Sequence, residues 1–318
     1  MRGVDELRRA AFGDLPDRPV WADARSPDPR RRWLAAVALG GQGRYAAAAT
    51  ALAGLVGHAD PVLASLAATT LASHRRQLGA HAEARVWDGR ALRRMAEENW
   101  RTAGDHSVEF PEINSADARA DALVGLAADA IGLGRIGVAR RLDTAARAVD
   151  QVSSRSAIRR DWVGAEIELA SGNPQAAIAC AERAVVRTSE CPSIRHQVKS
   201  DLILGVALVT ADDARGAAVL RRALDAALQR GLPPLAWPSA LVLAGLPGAD
   251  REHFLERAGG ALRFVLRRAD ARGRLLAEAS PWLPSDLVRS GDLPRTGGQT
   301  ILDGLSTGSC QGSAPGVR

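Results

Sequence analysis

The 318-residue chain is poor in aromatic residues, which make up 4% of it, and it holds a single tyrosine. β-Branched residues are also sparse beside Ala, Leu and Arg, a mixture whose intrinsic propensity favours helices over sheets. An all-β fold is set aside on that ground. Cysteine is scarce too: Cys180, Cys191 and Cys310 form no CxxC pair and leave an odd thiol in any disulfide scheme, which fits a reducing compartment. Nowhere do about 18 uninterrupted apolar residues occur, as a membrane span requires, and the opening residues lack the apolar core of a secretion signal. The expectation is a cytoplasmic protein with no membrane partner.

Lysine is nearly missing. Lys199 stands alone among 42 basic residues, and the formal net charge is +6. Such a balance raises nucleic acid as a partner. The arginines are scattered, however, at Arg30 to Arg32, Arg75 and Arg76, Arg93 and Arg94, Arg140 and Arg141, Arg159 and Arg160, Arg221 and Arg222, and Arg267 and Arg268. No segment reads as a nucleic-acid arm. The skew to Arg, with abundant Ala and Gly, matches drift in a GC-rich genome. An arginine-rich helical-repeat nucleic-acid-binding or regulatory protein is therefore the second reading, and it requires the Arg pairs to converge on one surface.

The chain does contain an internal repeat. Gly41, Gly79, Gly134, Gly172 and Ala211 each lie at a break between two helical apolar patterns. Five residues after these anchors stand Ala46, Ala84, Ala139, Ala177 and Gly216, and twelve after them stand Ala53, Ala91, Ala146, Ala184 and Ala223. A small residue at the turn permits positive φ, and two small residues seven apart share one helix face, so a neighbouring helix can approach closely. A sixth, degenerate copy anchors at Ala249, with Ala261 in the second position and Phe254 in the first. Asp60-Pro61 and Asn173-Pro174 read as helix starts, each a capping residue followed by a proline whose missing N–H costs nothing there.

These residues resemble the tetratricopeptide repeat, which has Gly at the turn, Ala five residues later and Ala twelve later. The resemblance spans roughly residues 30 to 270, and Tyr45 is the one bulky aromatic that precedes a first-position Ala. It implies an all-α chain, an α-solenoid of five to six antiparallel hairpins over residues 30–280, with an insertion at 98–115. Residues 1–29, rich in proline, read as an extended leader after a short initial helix. Residues 281–318, rich in Gly, Ser and Pro, read as a disordered tail.

Motifs for chemistry are weak. Gly132 to Gly137 matches GxGxxG, but Ala127 to Ile131 before it makes a poor strand, and the glycines fall on a repeat turn. Leu293 to Gly297 matches LPxTG without the signal or apolar tail that such a motif needs. His106, Glu109, Glu112 and Asp105 cluster in the insertion, with no familiar metal-ligand spacing. No metal, cofactor or nucleophile is assigned, and no enzyme is expected.

The resemblance thus implies a non-enzymatic scaffold or adaptor for another protein or peptide, bound in a concave groove. Counting back from the turn by the family register gives groove contacts at Arg31, Thr69, Arg76, Gln77, Asp121, Arg159, Trp162, Glu166 and Asp201. These do not reproduce the Lys and Asn set that holds a terminal carboxylate in chaperone-binding members. In the insertion, Trp100, Phe110 and Ile113 are either partner contacts or plugs for the core, since aromatic anchors serve both.

Overall fold

A computed structural model of the chain describes residues 2–96 and 109–289. Among them there is no strand, and fifteen α-helices follow one another: α1 (Arg2–Phe12), α2 (Pro29–Gly41), α3 (Tyr45–Ala53), α4 (Pro61–Gln77), α5 (His81–Arg94), α6 (Ser115–Gly132), α7 (Ile136–Arg147), α8 (Ser154–Ala170), α9 (Pro174–Ser189), α10 (Ile194–Thr210), α11 (Gly216–Gln229), α12 (Pro233–Ala244), α13 (Arg251–Arg267), α14 (Ala271–Glu278) and α15 (Ser285–Arg289). Helices α2 to α13 pair as six consecutive hairpins, each packed on the next. The sixth pair, α12 and α13, is complete despite its degenerate sequence.

Local chemistry explains both ends of these helices. The first helices α2, α4, α6 and α8 begin at Asp28, Asp60, Asn114 and Ser153, whose side chains accept a backbone N–H from the first turn. They end in a left-handed residue, Gly43, Gly79, Gly134 or Gly172, with φ between +69° and +73°. In each case the next N–H reaches back five residues, as in Ala80 N to Arg75 O at 3.0 Å and Asn173 N to Glu168 O at 2.9 Å. That closure satisfies an orphan carbonyl and needs positive φ, which glycine adopts without a Cβ penalty. Asn173 starts α9 ahead of Pro174 but makes no side-chain cap; its amide bonds Glu168 instead.

The left-handed residues correct the repeat register. In the first copy the turn is Gly43, two residues past Gly41, and in the fifth it is Asp212, one past Ala211. Ala48 and Leu55, five and twelve residues past Gly43, are consequently fully buried, while Ala53 is exposed. Ala46, also assigned to the small-residue face, is only half-buried. Elsewhere the face holds: Ala84, Ala91, Ala139, Ala146, Ala177, Ala184 and Ala223 are all at 0% exposure.

The flanks are more ordered than their composition suggests. Val4, Leu7 and Ala11 lie on one stripe of α1 and are buried with Val20 against α2. Gln42 donates to the Pro16 and Arg18 carbonyls, so residues 13–28 are folded over the first hairpin rather than extended. The short initial helix expected there is α1, and the proline-rich stretch after it is the part that departs from the expected extended leader. Phe110 and Ile113 are buried in the same cluster, which makes the described end of the insertion a core plug, while Trp100 lies outside the described residues. At the other end Leu283 and Leu287 are buried against the α12–α13 core, so the packed body runs to residue 289. Residues 290–318 of the expected tail are outside the described ones.

The array curls until its ends touch. The Arg268 carbonyl at the end of α13 accepts from Ala46 N at 2.7 Å, and Arg75 on α4 makes a bidentate pair with Asp270 at 3.0 and 2.9 Å. On the inner side Ile194 N donates to the Gly13 carbonyl at 3.1 Å. This closure encloses the space that the first helices surround.

Candidate functional site: the inner cavity

All six first helices contribute to one cavity of about 260 Å³. From α2 come Trp33, Val37, Gly40 and Gly41; from α4 come Thr69, Thr70, Ser73, His74 and Gln77; α6 adds Asp121. Helix α8 provides Arg155, Arg159 and Trp162, α10 provides Arg195, His196, Lys199 and Leu202, and α12 closes the wall with Pro234, Leu235, Trp237 and Pro238. Phe12 at the end of α1 completes it. The convergence follows from the repeat: Trp33, Thr69, Trp162 and Leu202 each lie ten residues before a left-handed turn residue, and Asp121, Arg159 and Lys199 lie thirteen before one.

Hydrogen bonds and aromatic faces hold the wall in place. Trp162 Nε1 donates to Ser200 Oγ at 2.8 Å and its ring stacks on His196 at 5.2 Å. Trp33 Nε1 donates to Thr70 Oγ1 at 3.1 Å, and Tyr45 donates to Gln77 Oε1 at 3.0 Å. Tyr45 also stacks on His74, at 5.0 Å. Gly40 has no side chain because a Cβ there would lie 1.9 Å from His74 Nε2.

The electrostatics are one-sided. Of the lining residues four are cations, Arg155, Arg159, Arg195 and Lys199, and one is a carboxylate, Asp121; behind the wall Asp117 lies 3.4 Å from Arg155 and Glu166 3.9 Å from Lys199. Asp121 accepts from Arg155 at 2.5 Å and pairs with Arg159 at 3.0 Å. Burial, then the charges of Arg159 and Arg155, push the Arg195 guanidinium down to about 10. Burial, then the surrounding cations, keep His196 well below the ordinary histidine range, and burial lowers Lys199 although Glu166 opposes it. Burial likewise pushes His74 down to about 3. Both imidazoles are therefore neutral at physiological pH.

Of the residues that the family register selects, Thr69, Gln77, Asp121, Arg159 and Trp162 line this cavity. The others do not. Arg76 turns away and ties Asp88 and Asp129 together in the core, Arg31 pairs with Asp23 at the start of α2, and Asp201 pairs with Arg222 on the outer side of α10. Glu166 lies just outside, 3.9 Å from Lys199, and Phe110 is buried. Phe12, Trp33, Arg155, Arg195, Lys199 and Trp237 escaped the sequence reading. The repeated i, i+4 pairs Arg155 and Arg159, then Arg195 and Lys199, were the available signal, because such spacing puts both cations on one helix face.

Gly132 and Gly134 sit at the α6–α7 turn with a helix, not a strand, before them. Among the described residues no group of three His, Cys, Asp or Glu side chains is placed to hold a metal, and Glu112 of the suspected cluster pairs with Arg8 at 2.7 Å. His106 and Asp105 lie outside the described residues. Likewise among the described residues, no helix is long and apolar enough to cross a membrane. No family profile matches the chain, and comparison with curated proteins finds no significant similarity.

Proposed function

We propose that this chain is a non-enzymatic binding protein of the tetratricopeptide-like type, an adaptor whose partner enters the inner cavity as an extended peptide segment. The observation that carries this reading is the convergence of all six first helices on one inner cavity. The walls supply what such a segment needs: aromatic and proline faces for side chains, and the hydroxyls and amide of Thr69, Ser73 and Gln77 for its backbone.

The nucleic-acid alternative draws less support. Arg159 faces the cavity, Arg140 on the second helix α7 is engaged by Glu168 of α8, Arg222 on α11 by Asp201 of α10, and exposed Arg93 lies on α5. A phosphate track requires such charges to share one open surface.

A direct test blocks the cavity. Ser73→Trp places an indole into it from α4, and a positional-scanning array of extended pentapeptides is probed with wild type and variant. Peptides retained by the wild type should bind the variant at least tenfold more weakly while the two proteins melt alike. Equal retention by a folded variant would place binding outside the cavity and overturn the reading.

A further inference from the structure

Asp121 does not balance the charge around it. Its two oxygens are taken by Arg155 and Arg159, both from α8, and Arg155 also pairs with the buried Asp117 at 3.4 Å. Helix α10 then presents Arg195 and Lys199 one turn apart on the same side of the cavity. Arg195 donates to the Val37 carbonyl at 3.1 Å and the Ala11 carbonyl at 3.2 Å, partners that satisfy its N–H groups and bring no negative charge. Among the described residues no carboxylate pairs with it. Lys199 has only Glu166, at 3.9 Å, a separation at which the ammonium is attracted and not hydrogen-bonded.

Aromatic rings hold these cations in position. The Lys199 ammonium sits 4.6 Å from the Trp162 ring centroid, and Phe12 carries Arg155 at 5.3 Å and Arg195 at 5.8 Å. Cation–π contact fixes a charge without cancelling it. Arg155 Nε is a buried donor with no hydrogen-bond partner. Gly41 leaves the room that Arg195 uses, since a Cβ there would lie 3.1 Å from Arg195 Cδ. A cation such as Arg195, crowded by others in a partly dry site and without a counter-charge of its own, is unfavourable until an anion joins it. Trp33, Leu202, Pro234 and Trp237 add apolar surface to the same wall.

We infer that the corner between α8 and α10 is an anion site, and that the segment entering the cavity carries a carboxylate next to an apolar side chain. This rests on the cavity being the binding site. The carboxylate docks on Arg195 and Lys199, with Arg155 and Arg159 held ready by Asp121, and the apolar neighbour packs on Trp33 and Trp237. Inorganic phosphate shares the charge but lacks the apolar neighbour, so it binds more weakly.

The test uses two pentapeptide arrays with acetylated N-termini, one amidated at the C-terminus and one with free carboxylates, so that side-chain and terminal sources separate. Inorganic phosphate serves as the competitor. Wild type, Arg195→Gln/Lys199→Gln, Lys199→Gln alone and Arg222→Gln as a surface-charge control are compared after their melting curves. Retained peptides should be acidic, should lose at least tenfold when Asp or Glu becomes Asn or Gln, and should lose the same in the double variant but not in Arg222→Gln. Millimolar phosphate should compete only partly. If the double variant does not fold, Lys199→Gln alone should cost at least threefold. Equal binding of acidic and neutral peptides, or an acidic preference that survives the substitutions, overturns the anion site; if Ser73→Trp still abolishes that binding, the cavity reading stands. Retention of no peptide at all sinks both.

Discussion

Arg76 on α4 reaches the Asp129 carboxylate on α6, Nε to Oδ1 at 2.7 Å, and with its other edge it takes Asp88 on α5 and the Gly125 carbonyl at 3.2 Å. One guanidinium therefore joins the second hairpin to the third. Both carboxylates are at 0% exposure, and a Cβ on Gly125 would lie 2.3 Å from Asp88 Oδ2, so the strut is built into the backbone spacing.

Removing the cation strands two buried carboxylates, which typically costs about 3–5 kcal/mol. Arg76→Gln should destabilise by that order. Burial, only partly opposed by Arg76, already holds Asp88 well above the ordinary carboxylate range. A carboxyl with a raised folded pKa favours the native state at low pH and loses that contribution as pH climbs through it. Without Arg76 the effect strengthens, so the deficit should be larger at pH 8 than at pH 5. Denaturant midpoints at the two pH values measure it, and a deficit of the same size at both would contradict the assignment.

Acid should weaken the fold through His74 and His196. Both are buried and depressed below the ordinary value near 6.5, His74 to about 3, because burial disfavours the imidazolium and neighbouring arginines add to it. The unfolded chain binds protons there that the native chain refuses, so stability declines as pH falls below 6.5. His74 contributes a loss of about 2 kcal/mol between pH 7 and pH 5, and His196 adds to it in the same direction. His74→Gln should remove its own part of that slope whatever its stability at pH 7. An unchanged slope would show that His74 titrates normally.

The repeat register is testable by overpacking. Ala48 and Ala184 are at 0% exposure, and Ala53 is exposed. Leucine at either buried position should cost about 1–3 kcal/mol, whereas Ala53→Leu should stay within about 0.5 kcal/mol. Thermal melts that ranked Ala53→Leu as the most damaging would restore Gly41 as the turn.

Asp270 ties the two ends of the array. It accepts both Arg75 Nη groups and also Gly273 N at 2.6 Å, capping α14. Burial raises its pKa, but the Arg75 and Gly273 bonds outweigh that, and the net shift is downward. A depressed carboxylate contributes above its unfolded value near 3.9 and loses that contribution as pH falls through the folded one. Asp270→Ala should therefore cost about 2 kcal/mol at pH 7, from the cap and the charged hydrogen bonds. Amide exchange should quicken over residues 271–289 before it does in α6 and α8. Uniform exchange across the chain would mean that closure is not local.

The amino-acid sequence by itself determined that this protein is helical, that its helices come in pairs, and that Ala84, Ala139, Ala177 and Ala184 face a neighbour. Each of these rests on interactions between residues no more than a few positions apart: propensity, the 3.6-residue period, the left-handed turn. Thr69, Gln77, Asp121, Arg159 and Trp162 were legible for the same reason, since a repeat carries one position onto the same face in unit after unit. Only the tertiary structure decided that Arg76 points into the core while Arg195 points into the cavity. Arg76 finds Asp129 53 residues away, and Arg195 meets the Val37 carbonyl 158 residues away. A flexible side chain of several rotatable bonds settles wherever a counter-charge or carbonyl is brought to it, and that is set by how the hairpins curl together.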